Sequence, residues 1–192
     1  MDSDSKQFPK AHVHGWGEIY RGHHFSFVTE ELTLPNGRRT EMAMVRHPGS
    51  IGVVPLFNDS SVLMEQQYRH CVRDYLLEIP AGTLEIGESP QDCARRELQE
   101  ETGYTAAEII PFGRTHILPA YSDEVIHLFL ARQLVPAPAR PDPDEIIRTR
   151  PYPLEQLLEM IAAGEITDAL TILALQRTWF YLHKVSGARP PT

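Results

Sequence analysis

Residues 16–20 and 25–34 alternate apolar and polar side chains at the two-residue period of a strand. Asn36 and Gly37 then supply the φ > 0 pair that a tight hairpin turn takes, and residues 41–46 read as the returning strand. Residues 1–48 are therefore expected to form a β-hairpin arm ahead of the main body, with the first ten or so polar residues frayed. Residues 50–57 and 61–68 are two further strand-like runs, separated by Asn58, Asp59 and Ser60, whose side chains favour turns. The run through Leu76, Leu77, Glu78 and Ile79 halts at Pro80. A Gly-containing loop over 81–88 leads to Ser89, a good N-cap, and Pro90, which suits the first helical position. A helix is thus predicted from there to about Thr102, with Gly103 as its left-handed stop.

Residues 108–118 and 125–131 return to strand-like pattern. Residues 135–143 carry proline at positions 136, 138, 141 and 143, which predicts an extended connector rather than a packed element. Residues 154–163 have helical apolar spacing, and Asp168 is placed to cap a further helix through Leu170, Ile172, Leu173, Leu175 and Trp179. Strands first, one internal helix and terminal helices indicate a mixed α/β sandwich, with residues 49–192 as the main domain.

The chain's 192 residues suffice for one sizeable core, and 42% apolar with 23% charged residues is an ordinary globular composition. Eighteen Lys and Arg against 26 Asp and Glu give a net charge of -8. With no long basic run, nucleic acid is set aside as a partner. An acidic protein handles a polyanionic small molecule when bound cations invert the local charge, so the acidity points toward metal. Cys71 and Cys93 form no CxxC pair, leaving nothing for a disulfide framework or a cysteine zinc site. Reduced thiols, no export signal and no run of about 18 apolar residues make the expectation cytoplasmic, with no membrane partner.

Within the predicted helix, Glu97, Glu100 and Glu101 stand at i, i+3 and i+4 and so share an arc of about 100°. Like charges at that spacing repel, so the arrangement is a local penalty unless positive charge covers it. One reading is an acidic solvated face with Arg95 and Arg96 as partners. The other is a divalent cation, and an oxygen-only donor set suits Mg²⁺, with Mn²⁺ as a substitute, better than zinc or copper.

The surroundings of these acids favour the second reading. Gly82, five residues, Glu88, seven residues and then Arg96-Glu97-Leu98-Gln99-Glu100-Glu101-Thr102-Gly103-Tyr104 resemble the Nudix box, with every fixed position present. The resemblance implies an α/β/α Nudix sandwich with a mixed sheet, and metal-dependent hydrolysis of a nucleoside diphosphate linked to another group. Arg96 would brace the acids, while Glu97, Glu101 and the backbone carbonyl of Ala81 would hold metal, with Glu88 joining directly or through water.

Pro119, sixteen residues past Gly103, stands where the ADP-ribose pyrophosphatase branch carries a proline. In the loop beyond it, Leu118 and Ala120 depart from the Ser and Gly usual in that branch. Glu124 is the candidate general base by that resemblance, able to close over the diphosphate from a flexible loop, and Glu100 is its rival. Residues 65–69 resemble the strand end whose arginine, here Arg69, contacts substrate phosphate. Arg21 resembles a residue near the adenosine end of the substrate in dimeric relatives, and Glu85 and Glu145 occupy places of further acids near the site. A homodimer is implied in the same way. The nine histidines offer no third ligand at a recognisable spacing and are assigned no chemistry.

The resemblance to that branch implies, as the expectation, ADP-ribose cleaved to AMP and ribose 5-phosphate. The alternatives are another nucleoside diphosphate sugar or dinucleotide (GDP-mannose, UDP-glucose, FAD), because the box reads diphosphate and leaves base and sugar to other loops. A ligand sensor without turnover is the alternative of another class, and the presence of all the box carboxylates argues against it.

Overall fold

The computed structural model describes residues 9–140 and 146–183. These residues form ten strands and three helices, divided between two compact units.

In the first unit, β1 (His12–Arg21), β2 (Ser26–Thr33) and β3 (Arg39–Arg46) make an antiparallel sheet in that order. The expected hairpin is β2 and β3, but the turn takes a positive φ at Gly37 alone (84°) and not at the Asn36-Gly37 pair, and β1 widens it to three strands. Val28 and Leu32 of β2 are buried, whereas every residue of β1 is exposed, including Val13, Trp16, Ile19 and Tyr20. Leu118–Glu124 belongs to this unit. Val45 donates its N–H to the Tyr121 carbonyl (2.8 Å) and accepts from Asp123 N–H (3.2 Å), and His47 N–H donates to the Asp123 carboxylate at 2.9 Å. The Pro119 loop thus lies along β3.

The second unit contains two sheets. One has the order β7-β4-β9-β8, from β7 (Ala81–Thr83), β4 (Ser50–Pro55), β9 (Ile126–Pro136) and β8 (Tyr104–Thr115), with β4 and β9 parallel and the other pairs antiparallel. The other has the order β10-β5-β6, from β10 (Ile147–Pro153), β5 (Ser61–Arg69) and β6 (Asp74–Glu78), all antiparallel. Side-chain alternation divides the mixed sheet between two cores. Ile51 and Val53 of β4, with Phe129 and Ala131 of β9, pack with Cys93, Ala94 and Leu98 of α1 (Pro90–Thr102). Val54, Leu128 and Leu130 point the other way, into a cluster with Leu154 and Leu157 of α2 (Leu154–Ala163) and Ala174 and Leu175 of α3 (Ala169–Leu182). Every β4 residue is buried because both faces of that strand are covered. This is the expected α/β/α sandwich.

Three local expectations change. Residues 81–83, read as loop, form β7 against β4. The polar, proline-bearing β10 carries no strand pattern, yet it pairs with β5 along its length; as an edge strand it tolerates Pro151 and Pro153. The described part of the proline-rich connector, residues 135–140, is mostly exposed yet tied down through its backbone. Val135 and Pro136 end β9, Ala137 N–H donates to Gly103 O at 2.8 Å, and Arg140 N–H donates to Glu100 O at 3.0 Å. This strap satisfies carbonyls that a helix end leaves open.

The strand leading into β7 is anchored by α3, where the buried Thr171 hydroxyl accepts from Ile79 N–H at 3.0 Å. Thr171→Val keeps the shape and leaves that buried donor unpaired, so it should cost about 1–3 kcal/mol in urea unfolding, with Thr171→Ser losing less. A Val variant as stable as the parent would show that the bond contributes nothing.

Candidate active site

The helix that carries the acids is fixed at both ends by its own sequence. Ser89 Oγ accepts from Asp92 N–H, Pro90 opens the first turn, and Gly103 adopts φ 70° and donates back to Gln99 O at 3.0 Å. With the ends set, the register puts Cys93, Ala94, Leu98 and Thr102 in the buried stripe. The same stripe includes two carboxylates, Glu97 at 9% and Glu101 at 5% exposure. Burying a carboxylate costs free energy unless it is paired. Two contacts offset that cost: Ala81 N–H donates to Glu101 Oε2 at 3.1 Å, and Arg96 Nη1 donates to Glu97 Oε1 at 2.8 Å.

Arg96 gathers the remaining acids. Its Nε and Nη2 meet the two oxygens of Glu88 at 2.9 and 3.0 Å, and Nη1 also reaches Glu100 Oε2 at 3.0 Å. Nη2 further donates to Thr83 O at 3.3 Å, which ties the guanidinium to β7. One cation therefore holds three of the four box carboxylates. Its hydrogen bonds, first of all to Glu88, raise the Arg96 pKa, and the reciprocal bond lowers that of Glu88 to about 2. Both Glu88 oxygens thus serve Arg96 here, and one of them also accepts from Glu85 N–H at 3.1 Å. Burial first, then the charges of Glu88 and Glu97, push the Cys93 thiol up, so it stays neutral beneath the cluster.

Gly82 explains its own place in the motif. Its backbone needs no positive φ, but a Cβ there would stand 1.9 Å from Glu97 Oε1. The acid occupies the space that any side chain at position 82 would fill.

Ala81, Glu88, Glu97, Glu100 and Glu101 are thus brought together around β7 and α1, with the side chain of Glu85 exposed in the adjoining loop. Arg69, in the same unit, ends β5 and donates from Nε to Glu78 Oε2 at 2.8 Å. Arg21 and Glu124 belong to the first unit. Arg21 ion-pairs with Glu18 at 2.9 Å, and Glu124 Oε1 lies 3.6 Å from His47 Nδ1. Glu145 lies outside the described residues. Glu78, the partner of Arg69, carries no sequence motif. Its signal was a carboxylate in an otherwise apolar strand end.

Among the described residues, no group of three or more His, Cys, Asp or Glu side chains is disposed to hold a metal ion. The available set is smaller: two buried carboxylates, Glu97 and Glu101, against the Ala81–Gly82 backbone. That set fits Mg²⁺, which typically takes one or two protein carboxylates and fills its octahedron with water and substrate phosphate.

A family model described as the NUDIX domain matches residues 46–173. The chain belongs to the Nudix family. It is 35% identical over 161 residues to an ADP-ribose pyrophosphatase of Bacillus subtilis (strain 168), covering 83% of this chain and 87% of that protein. It is also 35% identical over 164 residues to a methanol dehydrogenase activator of Bacillus methanolicus, with the same two coverages. A solved structure, described as an ADP compounds hydrolase, matches the Nudix fold seen here with a TM-score of 0.81. That match spans 96% of this chain and 100% of the other at 21% identity. The protein is a Nudix hydrolase with its box complete.

Gly82→Ala should leave the helix caps and both cores in place yet displace Glu97. The expected result is a fold retained by circular dichroism with turnover down by about 10²-fold or more; near-parental turnover would show that the Glu97 position is not required. In metal-free protein, the lowered pKa of Glu88 means its stabilising contribution is present above about pH 4.5 and is lost as pH falls toward about 2. Glu88→Gln should therefore be less stable near neutrality and show a flatter loss of stability across that acid window. Parallel acid-unfolding curves for the two proteins would contradict this.

Proposed function

We propose that this Nudix hydrolase cleaves the diphosphate bond of a nucleoside diphosphate sugar in a Mg²⁺-dependent reaction, with ADP-ribose giving AMP and ribose 5-phosphate as the preferred case. The observation that carries the proposal is the pair of buried carboxylates beside the Ala81–Gly82 backbone: Glu101 accepts from Ala81 N–H, and Glu97, in the space a Cβ on Gly82 would fill, accepts from Arg96. The similarity to an ADP-ribose pyrophosphatase supports the choice of substrate.

Glu97, Glu101 and the Ala81 carbonyl would hold the metal, with Glu88 contributing through water. When bound, it supplies Lewis-acid polarisation of phosphate oxygens and a more acidic water. The chain's own residues do the rest. Arg96 keeps Glu97 and Glu100 in fixed rotamers, so no reorganisation is needed when the diphosphate arrives. Arg69 offers its free guanidinium edge to a phosphate, and Glu85 adds an acid at the rim. Glu124 takes the proton from the attacking water, with Glu100 as the rival base. Arg21 approaches the adenosine end of the substrate bound by a partner subunit.

The exposed apolar side chains of β1, with Phe25, Phe27 and Met42, support a homodimer through the arm of residues 1–48. Free thiols at Cys71 and Cys93 agree with a cytoplasmic location. No helix among the described residues is long and apolar enough to cross a membrane.

The test is turnover of ADP-ribose, GDP-mannose, UDP-glucose, FAD and diadenosine polyphosphates with Mg²⁺ and with chelator. ADP-ribose should be preferred, AMP released, and chelator should abolish the reaction. Glu97→Gln should fold and lose most turnover, and of Glu124→Gln and Glu100→Gln the variant lacking the base should fall about 10²–10⁴-fold. Preference for another substrate would move the specificity, and turnover in chelator would remove the metal.

A further inference from the structure

Arg69 stands directly across the β5–β6 ladder from Asp74. An opposite charge at that position is the ordinary cross-strand partner. The structure pairs Arg69 elsewhere. Its Nε donates to Glu78 Oε2 at 2.8 Å, two same-face positions further along β6, while Asp74 Oδ1 accepts from Tyr75 N–H. Glu78 is followed by Ile79, Pro80 and then Ala81, so the guanidinium is drawn back from the hairpin turn toward the segment that enters β7.

The pair is asymmetric. The Glu78 side chain is 8% exposed and that of Arg69 is 40% exposed. Among the described residues the Arg69 guanidinium makes its hydrogen bond through Nε alone, which leaves the Nη1 and Nη2 edge for a bidentate acceptor. Glu78 is a costly residue to bury. Burial pushes its carboxyl up, Arg69 draws it back down, and the charge of Asp168 pushes it up again. It also faces the fully buried Glu65 across the ladder. An apolar residue would serve the hairpin at least as well, as Leu77 and Ile79 do on either side. What an apolar residue could not do is aim a guanidinium. The carboxylate is itself on a rigid mount, because the next residue, Ile79, is bonded through its N–H to Thr171 of α3.

We infer that Glu78 is a positioning residue for the diphosphate of the substrate: it holds Arg69 on the Ala81 side of the hairpin, away from Asp74, with its Nη edge presented to a phosphate. The inference rests on the reading of Arg69 as a phosphate contact.

The experiment measures KM and kcat for ADP-ribose and for GDP-mannose with Mg²⁺, together with the calorimetric affinity for ADP-ribose in chelator, so that binding is read without turnover. Glu78→Gln should raise KM about five- to tenfold for both substrates, weaken binding in parallel and leave kcat within about twofold, because the contact is to the common diphosphate. Asp74→Asn should change neither parameter. Arg69→Ala should raise KM at least as much as Glu78→Gln, and combining the two should add nothing further. Should Glu78→Gln fold poorly, Glu78→Asp, which keeps the charge and shortens its reach, should give a smaller KM rise of the same kind. A further loss in the double variant, an Asp74→Asn effect equal to that of Glu78→Gln, or a fall in kcat and thermal stability at constant KM would overturn the positioning role. If Arg69→Ala leaves KM and affinity unchanged, the phosphate reading of Arg69 fails and the inference fails with it. If Arg69→Ala raises KM while Glu78→Gln does not, only the inference fails.

Discussion

A single guanidinium makes the rest of the site possible. Arg96 meets Glu88 with two parallel hydrogen bonds and Glu97 and Glu100 with one each, all between 2.8 and 3.0 Å. Without it, the like charges at i, i+3 and i+4 on α1 would repel one another, and Glu97 would lose a charge-assisted partner on the buried side of the helix. Because the cation is also bonded to Thr83 O, it fixes the acids relative to β7 and not only to one another. A charge-assisted network of this kind is strong when complete and costly when one member is lost.

That network needs a rigid frame, and the two cores supply it. β4 lies at the centre, with α1 packed over one face and α2 and α3 over the other, so the backbone beside β7 has little freedom to move. At the far end of α1, the segment after β9 bonds to Gly103 O and Glu100 O. Proline restricts that segment before folding, so less conformational entropy is lost in docking it against the helix. Glu100 is thereby held through its backbone by the strap and through its carboxylate by Arg96.

The family's chemistry could be read in advance because its signals are local. Ser89, Pro90 and Gly103 set the ends of α1 through contacts within a few residues, and the 3.6-residue period then dictates that Glu97 and Glu101 share a flank. The strands β2, β3, β4, β5, β8 and β9 were visible as alternating or continuous apolar runs. Glu78 was not visible in this way. Its strand was expected, but its partner depends on which way the Arg69 side chain turns, and the register offers Asp74 just as plainly.

The sequence by itself determined the helix, its caps, the Nudix box and the layered α/β class, since each rests on short-range sterics, hydrogen bonding or hydrophobic period. Tertiary structure decided the elements whose stabilisation comes from distant partners. β10 exists because β5 offers a ladder to a proline-bearing edge strand, and β7 exists because β4 pairs with three residues that have no pattern of their own. The loop of residues 118–124 lies along β3 through two backbone bonds with Val45 and the Asp123 carboxylate on His47 N–H, contacts between residues at least 76 positions apart. Pairing between backbones far apart in the chain depends on how the intervening segments fold, and that is information no local window contains.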